Sequence, residues 1–218
     1  MMKSSVEQYW ELRLETCRQA LEQNNFDAFI VTDAAQAREL VILKILPDLD
    51  VNRVSWGGSV TLDATGLVEY FRNSSDFTLI ETFDTSVSRE EVIQRRRDAL
   101  SVDLFLSGTN AITESGMLVN LDMIGNRVAG MVFGPRDVII VAGRNKIVSD
   151  LDDAMKRIRG FAAPANAIRL SKQTPCVLTS CCSDCKSPDR ICNVWTIHEK
   201  SYPKGRIKVL LINQDLGL

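Results

Sequence analysis

The sequence has no excess of charge of either sign: 26 Lys and Arg face 28 Asp and Glu, for a formal charge of -2 and a pI near 5.6. That balance removes the electrostatic case for nucleic acid or an anionic membrane surface as partner. Long apolar runs are missing too. No stretch reaches the roughly 18 residues a membrane helix needs, and the segment from Met1 to Glu7 lacks the apolar core of a secretory leader. A cytoplasmic protein is expected. Neither a Walker A loop nor G-x-G-x-x-G occurs, and no flavin or nicotinamide fingerprint is present. If the chain moves electrons, another subunit is expected to supply the two-electron cofactor.

Glycine and proline are scattered, without a linker, repeat or low-complexity tract. With 45% hydrophobic and 25% charged residues, the chain has enough apolar material to fold around a core. Its 218 residues allow one large domain or two small ones. A single α/β domain over residues 1–218 is the simplest account.

Val6, Trp10, Leu14, Cys17 and Leu21 recur every three or four residues, predicting a helix whose apolar face includes Cys17. A short buried strand is expected from Phe26 to Val31, then helical spacing from Ala34 to Leu46, ahead of Pro47. A strand at Arg53 to Trp56, a turn at Gly57-Gly58, a helix from about Ser59 and a strand around Phe77 to Glu81 follow. Ser88-Arg89-Glu90-Glu91 matches a capping box before a helix to Leu100. Val102 to Leu106 is the next buried strand. The strongest strand signal runs from Asp137 to Ala142, rich in β-branched residues and bounded by Gly134-Pro135 and Gly143. Ser149 is expected to cap a helix burying Leu151, Ala154, Met155 and Ile158, with Gly160 and Pro164 as stop signals. Arg206 to Ile212 gives a last strand. Apolar strands separated by helices predict an α/β fold: a mainly parallel sheet with helices on both faces, followed by a C-terminal cysteine-rich loop.

Cysteine usage is lopsided: Cys17 stands alone and the other five lie between 176 and 192. In a cytosolic chain such a cluster points to metal rather than disulfides. Cys176, Cys182, Cys185 and Cys192 form the frame C-x5-C-x2-C-x6-C within the segment 174–194. Its C-x2-C pair places two thiolates on one side of a tight turn. Four thiolates without a well-placed histidine suit a [4Fe-4S] cluster or a closed zinc site. The compact spacing favours the cluster, and zinc stays as the alternative. Cys181 is set aside because adjacent side chains diverge in an extended segment and Cys182 completes the C-x2-C pair. His198 sits in the strand-like Val194 to His198 and reads as a lone histidine.

Two polar segments are candidate ligand sites. Trp56 to Leu62 sets Gly57, Gly58, Ser59 and Thr61 between a strand and a helix, where backbone N–H groups can cradle an anion or simply form a capped turn. Ser107 to Gly116 gathers polar groups where an open α/β sheet places its ligand. There Glu114 is a candidate base or nucleophile, with Asn110, Asn120, Asp122, Asn126 and Arg127 around a small anionic or polar substrate. Arg95-Arg96-Arg97 reads as a solvated helix face.

Together, Gly57 to Leu62, Gly108 to Gly116, Asn126-Arg127 and Gly134 to Asp137 give the chain a resemblance to the lactate-utilisation (LUD) domain family over most of its length. The cysteine segment is similar to a subgroup of it. The resemblance implies a fold related to ribose-phosphate isomerases, glucosamine-phosphate deaminases and CoA-transferases. It also implies a place beside complexes that oxidise lactate to pyruvate with separate iron–sulfur subunits. Glu114-Ser115-Gly116 is similar in form to the CoA-transferase glutamate that carries an acyl group, an analogy of fold alone. Lactate-operon members need not carry the four cysteines, which leaves this subgroup's substrate open. The expected function is a redox component that acts on, or regulates the oxidation of, a small hydroxy acid. Its partners would be a small anionic metabolite, other redox subunits and a second copy of the chain. The alternatives are a non-redox isomerase or acyl-transferase using Glu114, and a metal- or redox-sensing module.

Overall fold

A computed structural model describes residues 4–218. Among them ten strands form two sheets: β1 (Asp27–Val31), β2 (Arg53–Trp56), β3 (Thr78–Leu79), β4 (Leu104–Gly108), β5 (Ala111–Thr113), β6 (Leu118–Asp122), β7 (Asp137–Gly143), β8 (Ile147–Val148), β9 (Val194–His198) and β10 (Ile207–Ile212). The six-stranded sheet runs β1-β10-β7-β4-β2-β3 and is parallel throughout. Its helices cover both faces, and the alternation along each strand shows how. From β7, Val138, Ile140 and Ala142 join Leu14, Cys17 and Leu21 of the helix Ser5–Gln23, while Ile139 and Val141 join Leu62, Leu67 and Phe71 on the opposite side. Burial on both faces is why these strands read as continuous apolar runs.

The N-terminal helix starts with the full capping box of Ser4 and Glu7. Cys17 is core packing, and burial pushes its thiol up to about 12. Val6, at the start of the predicted stripe, is exposed instead, because the stripe reaches the core only from Leu14 onward.

Three details differ from expectation. The segment Ser107 to Gly116 is not one open loop. It carries β5, which pairs antiparallel with β6 and parallel with β8, in a second sheet ordered β8-β5-β6-β9. Asp150, rather than Ser149, caps the helix Leu151–Arg157, its Oδ1 accepting from Asp153 N at 2.9 Å. Gly160 and Pro164 do not stop that helix. The chain passes through a π turn at Ile158–Ala162 and continues as the helix Ala163–Arg169. The wider turn places Pro164 in the first turn of the continuing segment, where its missing N–H costs nothing.

Because Ile140 is fully buried in the central strand, Ile140→Ala is expected to lower the unfolding free energy by about 2–5 kcal/mol. Leu178, 90% exposed, should change it by less than about 0.5 kcal/mol when cut to Ala. Equilibrium urea denaturation compares the two, and equal losses would mean the core does not sit where described.

Candidate anion-binding cleft

From β2 the chain leaves toward β3, while from β4 it leaves toward β7 on the other side. The carboxyl ends of β2 and β4 therefore diverge, and such a switch point is where open α/β sheets bind ligands. The loop Gly57-Gly58-Ser59 leaves β2 there and Gly108-Thr109-Asn110 continues from β4. They approach so closely that a Cβ on Gly108 would collide with Ser59 Oγ, and one on Gly57 would lie 2.6 Å from Arg127 Cγ. Ser59 Oγ accepts from Leu62 N at 3.2 Å, so its hydroxyl acts as a helix cap.

A cleft of about 1010 Å³ opens at this point. Of the candidate residues, Gly58, Ser59, Asn110, Asp122, Asn126 and Arg127 line it. Gly57 and Thr61 sit directly behind, one beneath the Arg127 side chain and the other accepting from Lys146 Nζ at 2.8 Å. Glu114 lies outside the lining. Its Oε1 is 2.9 Å from Arg13 Nε in an ion pair, and its backbone N–H donates to Val148 O.

Arg127, 9% exposed, has every N–H donor engaged by the protein. Nε donates to Asp122 Oδ1 at 3.1 Å, Nη1 to Gly108 O at 3.0 Å and Asn120 Oδ1 at 2.8 Å, and Nη2 to Asn110 Oδ1 at 2.9 Å and Leu121 O at 3.4 Å. It builds the site and has no donor left for a ligand.

The available positive charge comes from residues that sequence reasoning missed. Lys146, 4% exposed, follows β7 and reaches the cleft floor, donating to Thr61 Oγ1 and, at 3.1 Å, to Thr109 O. It has no carboxylate partner among the described residues. Burial, helped by the nearby Arg157 and Arg127 cations, pulls its ammonium down from 10.5 to about 7. Arg96 also lines the cleft, with its Nε buried and without a hydrogen-bond partner, and its guanidinium over the Phe83 ring at 5.9 Å. The run Arg95-Arg96-Arg97 is therefore split: Arg95 pairs with Glu91 and Asp84 at the surface, whereas Arg96 turns inward. One signal was available. Arg89, Val92, Ile93 and Arg96 all line the cleft, at the spacing of a single helical face. By contrast, the cleft carboxylates are already matched, Asp84 with Arg95, Asp122 with Arg127 and Asp189 with Lys172.

The cysteine segment forms another wall of this cleft through Pro188, Asp189 and Ile191. Cys176 lies in the short helix Pro175–Thr179 with its sulfur 3.2 Å from Thr174 Oγ1. Cys181 and Cys182 are exposed, while Cys185 and Cys192 are half-buried. Among the described residues no group of three His, Cys, Asp or Glu side chains is gathered closely enough to hold a metal ion. What the segment does contain is a clamp. Arg190 donates to Cys185 O at 2.6 Å, Cys192 O at 2.9 Å and Asp184 Oδ1 at 2.8 Å, drawing both ends of the C-x6-C stretch onto one guanidinium. Burial pushes the Cys192 thiol up. Arg190 opposes that shift while Cys182 and Cys185 add to it. His198 packs edge-on to Phe26, and burial followed by the Arg206 charge lowers its pKa.

The family model of the LUD domain matches residues 14–212. A solved DUF162 family protein from Deinococcus radiodurans is 15% identical, with 93% of this chain and 98% of that one covered at a TM-score of 0.52. Ribose 5-phosphate isomerase from Plasmodium falciparum is 13% identical over 64% of this chain and 54% of its own, with a TM-score of 0.28. The delta subunit of eIF2B from Chaetomium thermophilum is 14% identical, covering 67% and 57% at a TM-score of 0.30. No curated protein matches the chain.

A lysine whose folded-state pKa is depressed binds fewer protons folded than unfolded between the two values, so stability rises with pH across that window. Lys146→Met should therefore be more stable than the native chain at pH 7 and below. The gap should narrow steadily as pH climbs from about 7 toward 10.5. Urea midpoints of both proteins across that range check it, and a constant gap would show that Lys146 titrates normally.

Proposed function

We propose that this chain, which belongs to the lactate-utilisation-related LUD domain family, binds a small organic anion of the hydroxy- or keto-acid class in the switch-point cleft. The observation that carries this is that buried Lys146 and half-buried Arg96, neither in an ion pair with a carboxylate among the described residues, line one cleft whose acidic side chains Asp84, Asp122 and Asp189 already pair with other cations. A carboxylate entering there replaces lost hydration with charge-assisted hydrogen bonds. Asn110, whose Oδ1 is held by Arg127 Nη2 and Leu121 N, is left with its amide N–H groups to offer a ligand hydroxyl or carbonyl. Glu114 is tied to Arg13 outside the cleft, so the isomerase or acyl-transferase alternative draws no support from this geometry.

A second element is a thiolate metal site at Cys176, Cys182, Cys185 and Cys192, an iron–sulfur cluster or, alternatively, zinc. The spacing of the four cysteines and the Arg190 clamp, which holds the Cys185 and Cys192 carbonyls on one guanidinium, support it. The all-sulfur donor set suits either. A bound cluster would supply one-electron transfer toward another redox subunit, and zinc would only staple the segment. With the cluster, the chain would serve as a redox component of a lactate-utilisation-type oxidoreductase system.

Calorimetric titration at low salt with lactate, pyruvate and inorganic phosphate should show saturable binding of at least one. Arg96→Gln or Lys146→Met should weaken it about tenfold or more, the loss of one hydrogen bond to a charged group worth about 1.5–3 kcal/mol. Absence of heat and of any thermal shift with all three would end this assignment. Protein purified without oxygen should carry iron with inorganic sulfide, or else zinc, in stoichiometric amount. Cys182→Ser, Cys185→Ser and Cys192→Ser should each bring the metal to background, while Cys181→Ser leaves it in place. Neither metal in the native chain would remove the redox component.

A further inference from the structure

We propose that Lys146 is a nucleophile: its amine forms an imine with the carbonyl carbon of an aldehyde or ketone that carries an anionic group and is bound in the cleft. The inference rests on the anion-binding assignment above and adds a covalent step to it. Three geometric facts carry it. The Lys146 side chain is buried yet lines the cleft. Its Nζ has two fixed acceptors, Thr61 Oγ1 at 2.8 Å and Thr109 O at 3.1 Å. Among the described residues no carboxylate forms an ion pair with it.

A neutral amine has two N–H bonds and one lone pair. With both N–H groups committed to Thr61 and Thr109, the lone pair takes the remaining tetrahedral direction and is not spent on a protein hydrogen bond. Thr61 cannot readily turn away. Its hydroxyl donates to Leu216 O at 3.2 Å, so its oxygen lone pairs stay turned toward Nζ. Burial and the surrounding Arg157 and Arg127 charges keep a large share of the amine unprotonated at neutral pH. At pH 7 about half of such a group is neutral, against on the order of one in a thousand for a solvated lysine. Arg96, in the same cleft, receives the anionic group of the same molecule.

The step balances without a redox partner. The Nζ lone pair attacks the carbonyl carbon, the C–N bond forms, and the carbonyl π pair moves to oxygen, which takes a proton from water. Nζ then gives up its two protons, one to the hydroxide left by that water and one to the hydroxyl, which departs as water as the C=N bond forms. One water is released per imine, and no electrons change hands. The product withdraws electrons from the bond next to the former carbonyl carbon and so labilises it.

The test treats the full chain at pH 7 with sodium borohydride and either pyruvate or glyceraldehyde 3-phosphate, then maps the modified peptides by mass. A reduced adduct on the Lys146 peptide is expected, exceeding that on the exposed Lys156, Lys200 or Lys204 by at least about tenfold, given the neutral fractions above. Whichever compound labels identifies the class, keto acid or sugar phosphate. Lys146→Arg should abolish the adduct while leaving the exposed lysines labelled as before. Adducts spread over exposed lysines without enrichment at Lys146 would overturn the inference. So would calorimetric binding of either compound with no Lys146 adduct, which would leave the anion-binding assignment standing. Absence of both binding and adduct would overturn the two together.

Discussion

The Arg127 guanidinium is the joint on which the site depends, because its five donors tie the parallel sheet to the second sheet at the point where β2 and β4 part. Gly108 O belongs to β4, whereas Asn120, Leu121 and Asp122 belong to β6, and Asn110 bridges the two sheets. Burying a guanidinium is costly unless each donor is met and a counter-charge is near. Both conditions hold here, and Asp122 is itself fixed by Gly125 N at 3.0 Å. The closeness of Gly57 to the Arg127 side chain follows, as does the need for glycine there. A charge so fully satisfied is structural, and the affinity for a ligand has to come from cations the fold leaves unsatisfied.

The parallel sheet was legible because strands buried on both faces need little more than a run of apolar residues bounded by turn formers. Asp137 to Gly143 and Ile207 to Ile212 are such runs. Of the second sheet only β9, the strand-like Val194 to His198, was legible. Ala111–Thr113 and Ile147–Val148 are too short for any periodicity, and Leu118–Asp122 places Asn120 and Asp122 inward, where they serve Arg127. Site residues divided in the same way. The glycine turns and the polar loop announced themselves by composition, and of the candidates named in and just after them Gly58, Ser59, Asn110, Asp122, Asn126 and Arg127 line the cleft. Lys146 gave no such sign, since one lysine after a strand is ordinary. Its meaning depends on Thr61 and Thr109, which lie 85 and 37 residues away in sequence. Arg96 was hidden in an arginine triplet whose neighbours do face solvent.

The cysteine segment and the cleft are mechanically one unit. Cys185 and Cys192 bracket a stretch whose Pro188, Asp189 and Ile191 are cleft wall. Asp189 is held by Lys172 at 3.0 Å and by Gln173 N at 2.8 Å, and Asn193 N donates to Asp122 O at 2.9 Å. The backbone that carries the thiols thus reaches Asp122, the counter-ion of Arg127. A group that drew Cys185 and Cys192 to a new separation would therefore move that wall as well.

The cost of burying Lys146 is the physical ground of the proposed chemistry. A buried lysine without a carboxylate is an expensive way to fill space, and a methionine of similar length would pack there with less cost. The fold surrounds it with more positive charge from Arg127 and Arg157, which deepens the penalty. Such local expense is characteristic of functional sites, where a group is held away from its preferred state so that an incoming ligand can relieve the strain. An anion supplies the missing counter-charge, and a carbonyl carbon supplies a partner for the lone pair. Lys146 lies just beyond the carboxyl end of β7 and lines the cleft beside the switch point of the sheet, so a ligand bound there would supply either relief.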